Sequence, residues 1–150
     1  MVTVDEIIEF VREQTGVKVI EAHRDIEDDL GCTGDDFFEL IEDFADRYSV
    51  DISTFLGYFH ADEEGFNPGR LLFPSPYDRV EKIPVTPALL ADFANKGKWD
   101  ILYPEHTLPE IRWDVFLTPL VFLLIPFVFL VLAGFLGWLA GLLGFSSGCR

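Results

Sequence analysis

Two nucleophilic side chains, Cys32 and Thr33, lie next to each other directly before a predicted helix. The dipole at a helix N-terminus lowers the pKa of a nearby thiol, so one interpretation of Cys32 is a reactive or acylated cysteine. The other interpretation, a small buried side chain that fills space, is more common for such a residue. The hydroxyl of Thr33 is expected to cap the helix, with Asp36 as its partner in a capping box, rather than to react.

His60 begins a second group of side chains of the types that bind metal ions. It is followed by Asp62, Glu63 and Glu64, but these residues are nearly contiguous and no second, spaced set accompanies them. We therefore interpret the group as a solvated loop. The chain also lacks a nucleophile with a histidine and an acid at a recognisable spacing, a glycine-rich phosphate loop and a CxxC pair. The sequence predicts a protein that is not an enzyme and that uses no metal or other cofactor.

Acidic residues dominate the first part of the chain. The protein has 150 residues, 26 acids against 11 bases, and a formal net charge of -15. Residues 1–65 hold 19 of the acids and four of the bases. A surface this negative repels phosphate backbones, which excludes nucleic acid as a partner and favours a basic protein or a cation. Two cysteines are too few for a disulfide framework, and the N-terminus lacks the residue order of a signal peptide, so we expect the soluble part to stay in the cytosol.

The stretch from Val115 to Phe145 is predicted to be a membrane-embedded helical segment. It has 31 consecutive residues without a charge, whereas about 20 suffice to cross a bilayer core as a helix. The roughly 114 residues before it could hardly bury it on all sides, which argues against a core helix. As a straight helix it would be about 46 Å long against a core of about 30 Å, so we expect it to tilt, to kink at Pro119 or Pro126, or to begin as an interfacial stretch. A re-entrant hairpin is the alternative.

The charges that flank this segment predict its orientation. Lys96, Lys98 and Arg112 precede it within about 20 residues and only Arg150 follows it, so the positive-inside rule predicts that the N-terminal domain lies in the cytoplasm. Trp99 can either pack in the soluble domain or belong to an aromatic belt at the membrane surface. The belts would comprise Trp99, Tyr103 and Trp113 on the near side and Trp138 on the far side.

Small residues form a stripe on one face of the predicted membrane helix. Its members are Gly134, Gly137, Gly141 and Gly144. Such a stripe lets another helix approach closely, which predicts helix–helix association. The alternative is that glycine is simply frequent in membrane helices and here marks a frayed or interfacial turn.

Hydrophobic periodicity and capping signals predict two helices in the first fifty residues. Helix 1 is expected over residues 4–15, with Thr3 and Glu6 as a capping box and Gly16 as its C-terminal cap. A loop with apolar anchors follows over residues 17–34. Helix 2 is expected over residues 35–48, with one apolar face and an opposite face that carries six acids: Asp35, Asp36, Glu39, Glu42, Asp43 and Asp46.

The rest of the soluble part is predicted to be less regular. A short helical turn is expected over residues 53–59, followed by a proline-rich loop up to residue 85. A last helix is expected to begin after Thr86, with Pro87 at its first position, and to end at Gly97. The chain beyond this helix connects it to the membrane segment.

With these elements in place, residues 1–100 resemble an acyl carrier protein. In carrier proteins the sequence Asp-Leu-Gly, two further residues and then Ser open helix 2, and the serine carries the phosphopantetheine arm. Glycine stands at the attachment position here, in the run Asp29-Leu30-Gly31-Cys32-Thr33-Gly34-Asp35-Asp36. The similarity continues through Glu39-Leu40, Tyr48, Asp51-Ile52 and Thr86-Pro87-Ala88-Leu89-Leu90. An insertion over about residues 60–85 is the main departure in length. Together with the Gly-Asp-Asp run after the turn, it makes the chain look like a carrier-protein-like bacterial family of unknown function that lacks the serine.

This resemblance implies an all-α fold with a four-helix bundle over residues 1–100. The apolar stretch described above adds a linker over residues 101–114 and a transmembrane helix over residues 115–145, and together they predict a single-pass protein of the bacterial inner membrane. It implies that Gly34, which has no hydroxyl, is a degenerate prosthetic-group position. It also implies that the acidic face of helix 2 docks a basic cytoplasmic protein, as it docks synthases and transferases in carrier proteins. Two alternatives stay open. One is a genuine acyl or phosphopantetheine carrier that uses Thr33 or Cys32, and the other is a membrane-helix interaction protein with a regulatory soluble domain.

Overall fold

The computed structural model describes residues 1–63 and 65–142, and the regular elements there are helical. The α-helices are α1 (Val4–Thr15), α2 (Gly34–Tyr48), α3 (Pro87–Lys96) and α4 (Trp113–Leu142). Between α2 and α3 lie 3₁₀ turns at Gly57–Phe59, Pro68–Leu71 and Pro76–Arg79. The described residues contain no strand, only an isolated parallel bridge between Asp51 and Lys98. The prediction of an all-α protein with a long apolar C-terminal helix is confirmed.

The chain divides into two compact units. The first unit comprises Met1–Phe66 and Pro76–Pro109, and the second comprises Asn67–Ser75 together with the chain from Glu110 onwards. Part of the predicted insertion therefore belongs to the unit that contains α4. The predicted domain boundaries, at residues 100 and 114, stay predictions.

The caps of α1 and α3 form as their sequences predict. The Glu6 amide donates to Thr3 Oγ1 at 3.2 Å while the Thr3 amide donates to Glu6 Oε2 at 2.7 Å, which completes the capping box. Gly16 ends α1 in the left-handed conformation, with a φ of 71°. Thr86 caps α3 through the Leu89 amide at 3.2 Å, directly before Pro87.

The core of the first unit is formed by the apolar faces of α1, α2 and α3. The side chains that these helices bury completely or nearly so are Ile7, Phe10, Val11, Phe37, Leu40, Ile41, Phe44, Leu90 and Phe93. Each lies on the face that hydrophobic periodicity assigns to the interior. The N-terminus is also tied down, because the Val2 amide donates to Asn95 Oδ1 at 2.9 Å at the end of α3.

The predicted four-helix bundle is not confirmed, because the described part of the first unit has three α-helices. The helical turn expected over residues 53–59 is represented by the single 3₁₀ turn Gly57–Phe59. A Cβ atom at Gly57 would lie 2.3 Å from Cε1 of the Phe38 ring, so the chain passes directly over that ring. Glycine is a poor helix former, and any larger residue here would push the Phe38 ring aside.

Trp99, His60 and Tyr103 form an aromatic cluster next to the turn Gly57–Phe59, where a helix of the predicted bundle was expected. Trp99 is 2% exposed and donates from its indole nitrogen to the Tyr103 hydroxyl at 2.8 Å. His60 is fully buried, with Nδ1 2.8 Å from the Ile83 carbonyl and Nε2 2.8 Å from the same Tyr103 hydroxyl. Because a carbonyl only accepts, Nδ1 carries the proton and Nε2 accepts from Tyr103.

This cluster corrects two sequence interpretations. Trp99 and Tyr103 pack against the core of the first unit. The alternative that Trp99 packs in the soluble domain is confirmed, and the placement of the two residues in an aromatic belt is wrong. His60 does not lie in a solvated loop, and its burial lowers the pKa of the imidazole below its usual value. The partners of His60, Ile83 and Tyr103, lie 23 and 43 residues further along the chain, which is why local composition did not reveal its burial.

Helix α4 is the one described helix that is long and apolar enough to cross a membrane. It has 30 residues, and no part of its most apolar window is buried. The helix continues through both Pro119 and Pro126, so its described length contains no break at which a hairpin would turn. The predicted segment extends to Phe145, and residues 143–150, which include Gly144, lie outside the described residues.

Candidate functional site

Six carboxylates form an acidic face on α2. At about 100° per residue they span an arc of roughly 120°, opposite the buried side of the helix. All six residues are exposed: Asp35, Asp36, Glu39, Glu42, Asp43 and Asp46. Within residues 1–63 and 65–142, no lysine or arginine forms an ion pair with any of them. We call this set the acidic face.

The nearest basic residues are bound by acids of α1. Arg47, in the last turn of α2, donates to Glu13 Oε2 at 2.6 Å and lies over the Phe10 ring at 5.4 Å. Arg12 pairs with Glu9 within α1. From α1 the acidic face receives a neutral donor instead, since Gln14 Nε2 donates to Asp43 Oδ2 at 2.8 Å. Among the described residues, the acidic face is therefore left without a basic partner.

The Asp-Leu-Gly run before α2 forms a tight turn with a structural role. The Asp25 amide donates to Asp29 Oδ2 at 2.9 Å, and the Gly31 amide donates to the Glu27 carbonyl at 2.9 Å. Gly31 has a φ of 72°, which glycine adopts without strain. This turn brings the chain into α2 at a fixed angle.

Cys32 is buried, in the position expected of a side chain that fills space. Its side chain is 8% exposed, and burial, followed by the nearby charge of Asp36, raises its pKa to about 11. At neutral pH the thiol is therefore protonated, and the thiolate is the nucleophilic form. Desolvation and a neighbouring carboxylate both shift the pKa of Cys32 away from the activated state that the helix dipole would favour.

Thr33 and Gly34 depart from the geometry of a regular helix start. Thr33 occupies the N-cap position in an extended conformation, but its side chain makes no capping hydrogen bond, so the predicted capping box with Asp36 is wrong. Gly34 begins α2 with a φ of 53° and is buried. A first residue in the left-handed region takes the start of the helix out of the arrangement that a capping box requires.

Gly34, which the sequence resemblance equates with the serine of carrier proteins, has a conformation that disfavours any side chain. We predict that Gly34→Ser lowers the free energy of unfolding by about 1–2 kcal/mol, because a residue with a Cβ is strained at positive φ. We also predict that the serine stays unmodified, because the site is buried. Intact-protein mass spectrometry after incubation with coenzyme A and a phosphopantetheinyl transferase measures the second effect.

Gly34→Ala is the matched control for this substitution. It should lose the same stability, because strain and not the hydroxyl is the cause. A mass increase equal to the phosphopantetheine arm on Gly34→Ser would contradict the prediction.

A small cavity of about 200 Å³ lies beside this turn, between α1 and α2. Its lining includes Gln14, Leu30, Cys32, Asp36 and Glu39. Pockets for small molecules are larger, about 300–1,000 Å³, and mostly apolar. The cavity is smaller than such pockets, and two of the residues that line it are acidic.

The possible metal ligands around His60 are not brought together. Among the residues that the structure describes, no group of three or more His, Cys, Asp or Glu side chains could hold a metal ion. Glu64 lies outside the described residues. The ring nitrogens of His60 are engaged by Ile83 and Tyr103 in the core. The sequence prediction that the protein uses no metal stays a prediction.

A buried charge cluster in the first unit was not predicted from the sequence. Glu27 is 2% exposed and contacts the ammonium group of Lys82, which also lies 2.6 Å from Asp28 Oδ1 and 4.0 Å from Asp25 Oδ2. Glu27 Oε1 also accepts from the Asp62 amide at 2.7 Å. The cluster joins the loop before α2 to the segment before α3. One sequence signal could have indicated the cluster. Lys82 is the one base between residues 80 and 95, so it is the one residue of that segment able to pair with an acid.

At the described glycines of α4, no other atom occupies the space into which a side chain would project. A Cβ added at Gly134, Gly137 or Gly141 would meet no atom within 4 Å. The fourth member of the stripe, Gly144, lies outside the described residues. Association of helices through this stripe stays a prediction.

The fold and the acidic face together define a helical protein that joins a compact acidic unit to one long apolar helix. Residues 2–103 match the model of a family described as a protein of unknown function (DUF1493), and the chain belongs to that family. No curated protein matches the chain, and no solved structure does.

Proposed function

We propose that the protein is a membrane-anchored, non-catalytic docking module related to acyl carrier proteins. The acidic face of α2 binds a basic cytoplasmic protein, while α4 anchors the chain as a single pass in the bacterial inner membrane. The N-terminal unit then lies in the cytoplasm, as the basic residues before α4 suggest. The observation that carries the proposal is an acidic face that is exposed over its whole length and has no ion pair within the described chain.

The energetics of α2 support a role for these acids beyond solubility. Acids in the first turn favour the helix dipole, but Asp43 and Asp46 lie near the C-terminus, where negative charge is unfavourable. Their mutual repulsion is also left uncompensated, since neighbouring like charges destabilise a helix. A basic partner would remove both penalties on binding. Such complementarity also accelerates encounter, by one or more orders of magnitude at low salt.

The start of α2 supports the non-catalytic part of the proposal. Gly34 has no hydroxyl, is buried and takes a φ of 53°. Of the two alternative nucleophiles before it, Cys32 is protonated and buried, whereas Thr33 is exposed and is expected to act only as the N-cap residue. In this proposal the docking surface of a carrier protein is retained and its chemistry is lost.

Reversing the charge of the acidic face tests the proposal. We predict that a triple variant, Glu39→Lys with Glu42→Lys and Asp46→Lys, abolishes capture of the partner, because the surface would then repel a basic protein. All three positions are exposed, so the fold should persist, which far-UV circular dichroism checks. Capture is measured by crosslinking in native membranes, followed by affinity purification and mass spectrometry of the bound proteins.

A second triple variant controls for net charge. Glu81→Lys with Glu105→Lys and Glu110→Lys changes the charge by the same amount at exposed positions outside α2. It should retain capture. Equal capture by the α2 variant and the natural protein would rule out docking through the acidic face. Loss of capture in both variants would point to total charge and would also contradict the proposal.

A further inference from the structure

The 3₁₀ turn Pro68–Leu71 is fixed to the start of α4 by polar contacts within the second unit. Asn67 Nδ2 donates to Asp114 Oδ2 at 2.9 Å, and the Thr118 hydroxyl lies 2.5 Å from Asn67 Oδ1. The Gly69 amide donates to the same hydroxyl at 3.3 Å. Asp114 is 1% exposed and also accepts from Arg112 at 2.7 Å. These bonds hold the turn against the first two turns of α4.

The approach of the turn to α4 is close enough to require glycine. A Cβ atom at Gly69 would lie 1.9 Å from the Asp114 carbonyl oxygen. The contact is therefore backbone against backbone, and it leaves little freedom in the position of the turn. The side chains that follow Gly69 are held at a defined place beside the helix.

Three of those side chains are large, apolar and exposed. Leu71 is 89% exposed, Leu72 67% and Phe73 40%. Phe73 lies beside Trp113, with 6.5 Å between the ring centroids. Consecutive apolar side chains on a rigid turn are unfavourable in water, so they indicate a surface that is covered in the working protein. We call Leu71, Leu72 and Phe73 the apolar tip.

We infer that the apolar tip inserts into the lipid interface of the membrane beside the first turns of α4. The inference rests on the proposed membrane insertion of α4 and adds a second point of attachment. The turn is hydrogen-bonded to residues of a helix whose outward side chains, such as Phe116 and Leu120, are exposed and apolar. Side chains fixed beside such a helix meet the same environment as the helix.

The length of α4 indicates the depth of this insertion. Thirty residues span about 45 Å, whereas the hydrocarbon core is about 30 Å thick, so roughly ten residues of α4 extend into the interfacial layers. The apolar tip contacts the N-terminal end, where that excess can lie. Irregular backbone is not tolerated against lipid in the hydrocarbon core but is tolerated at the interface. Trp113 at the same end is a residue type that anchors proteins at this level.

Fluorescence quenching in vesicles tests the inference. The full chain with Cys149→Ser and Leu72→Cys is labelled with an environment-sensitive fluorophore and reconstituted into phosphatidylcholine and phosphatidylglycerol vesicles. Cys32 is buried and protonated, so it should not compete for the label. We expect a blue-shifted emission and severalfold stronger quenching by nitroxides attached near the lipid headgroups than by an aqueous quencher. Leu71→Cys provides a second, equally exposed position.

Two further labelled positions make the result decisive. Val19→Cys is the matched control, because Val19 is an exposed apolar residue of the first unit (80% exposed), and its label should respond to the aqueous quencher. Phe129→Cys, near the middle of α4, reports insertion of the helix through deeply placed nitroxides. If Phe129 is quenched by lipid while Leu71 and Leu72 are quenched from water, the apolar tip does not insert. Protection from both quenchers would indicate a protein contact and would equally overturn the inference. An unquenched Phe129 label would instead refute the membrane anchor itself.

Discussion

Trp99→Ala is expected to lower the free energy of unfolding of the first unit by about 3–5 kcal/mol, which is the range for removing a large buried aromatic side chain. Trp99 stacks near Phe93 and Phe55, with ring centroids 4.6 and 4.8 Å away. Its loss would leave a cavity and would deprive the Tyr103 hydroxyl of a donor. Domains are typically stable by only about 5–15 kcal/mol, so the variant should be close to unfolding.

Urea unfolding of the full chain in detergent micelles measures this effect. Far-UV circular dichroism then follows mainly the first unit, because α4 is expected to remain helical in the micelle. Trp99→Phe should lose less stability, since it keeps most of the ring while removing the hydrogen bond. Trp113→Ala is the control, because Trp113 is 44% exposed and lies in the second unit. A loss below about 1 kcal/mol for Trp99→Ala would show that the aromatic cluster is not the core.

Lys82→Met is expected to destabilise the first unit by about 2–3 kcal/mol, because it leaves Glu27 buried without its cation. The expected loss lies below that for a fully buried pair, since the Lys82 side chain is 29% exposed. Adding Glu27→Gln should recover part of the loss. The amide has no charge to compensate and its oxygen can still accept from the Asp62 amide.

Lys96→Met is the matched control for this prediction. Lys96 also pairs with two acids, Asp92 at 2.8 Å and Asp100 at 3.5 Å, but on the exposed surface. Such pairs contribute about 0–1 kcal/mol. Urea unfolding in micelles distinguishes the two lysines. Equal losses for Lys82→Met and Lys96→Met would contradict the prediction. So would a Lys82→Met, Glu27→Gln double variant that is no more stable than Lys82→Met, because the loss would then not come from the uncompensated charge of Glu27.

The parts of the fold that follow from neighbouring residues were predictable. The caps of α1 and α3 depend on residues within three positions of each other, such as Thr3 with Glu6. The exposed position of the acids on α2 follows from helical periodicity, although their role in docking stays a prediction. Thr33 shows the limit of local rules, because the left-handed Gly34 next to it removes the regular helix start that the capping box assumes.

The parts that depend on distant residues could not be read from local patterns. His60 is buried because its nitrogens meet Ile83 and Tyr103, which lie 23 and 43 residues further along the chain. Glu27 contacts Lys82 across an even longer stretch of sequence. The contact between Asn67 and Asp114 likewise joins two segments that the sequence presents as a loop and a linker. Hydrophobic periodicity carries no information on such pairings.

The close contact at Gly69 has a practical consequence for cutting the protein into pieces. The family match ends at residue 103, before Asp114 and Thr118, which hold the turn Pro68–Leu71. A fragment that ends there would keep this turn but lose its partners, and Leu71, Leu72 and Phe73 would lie on a segment with nothing to restrain it. A soluble fragment suited to study in solution should therefore carry a short polar linker in place of residues 67–75.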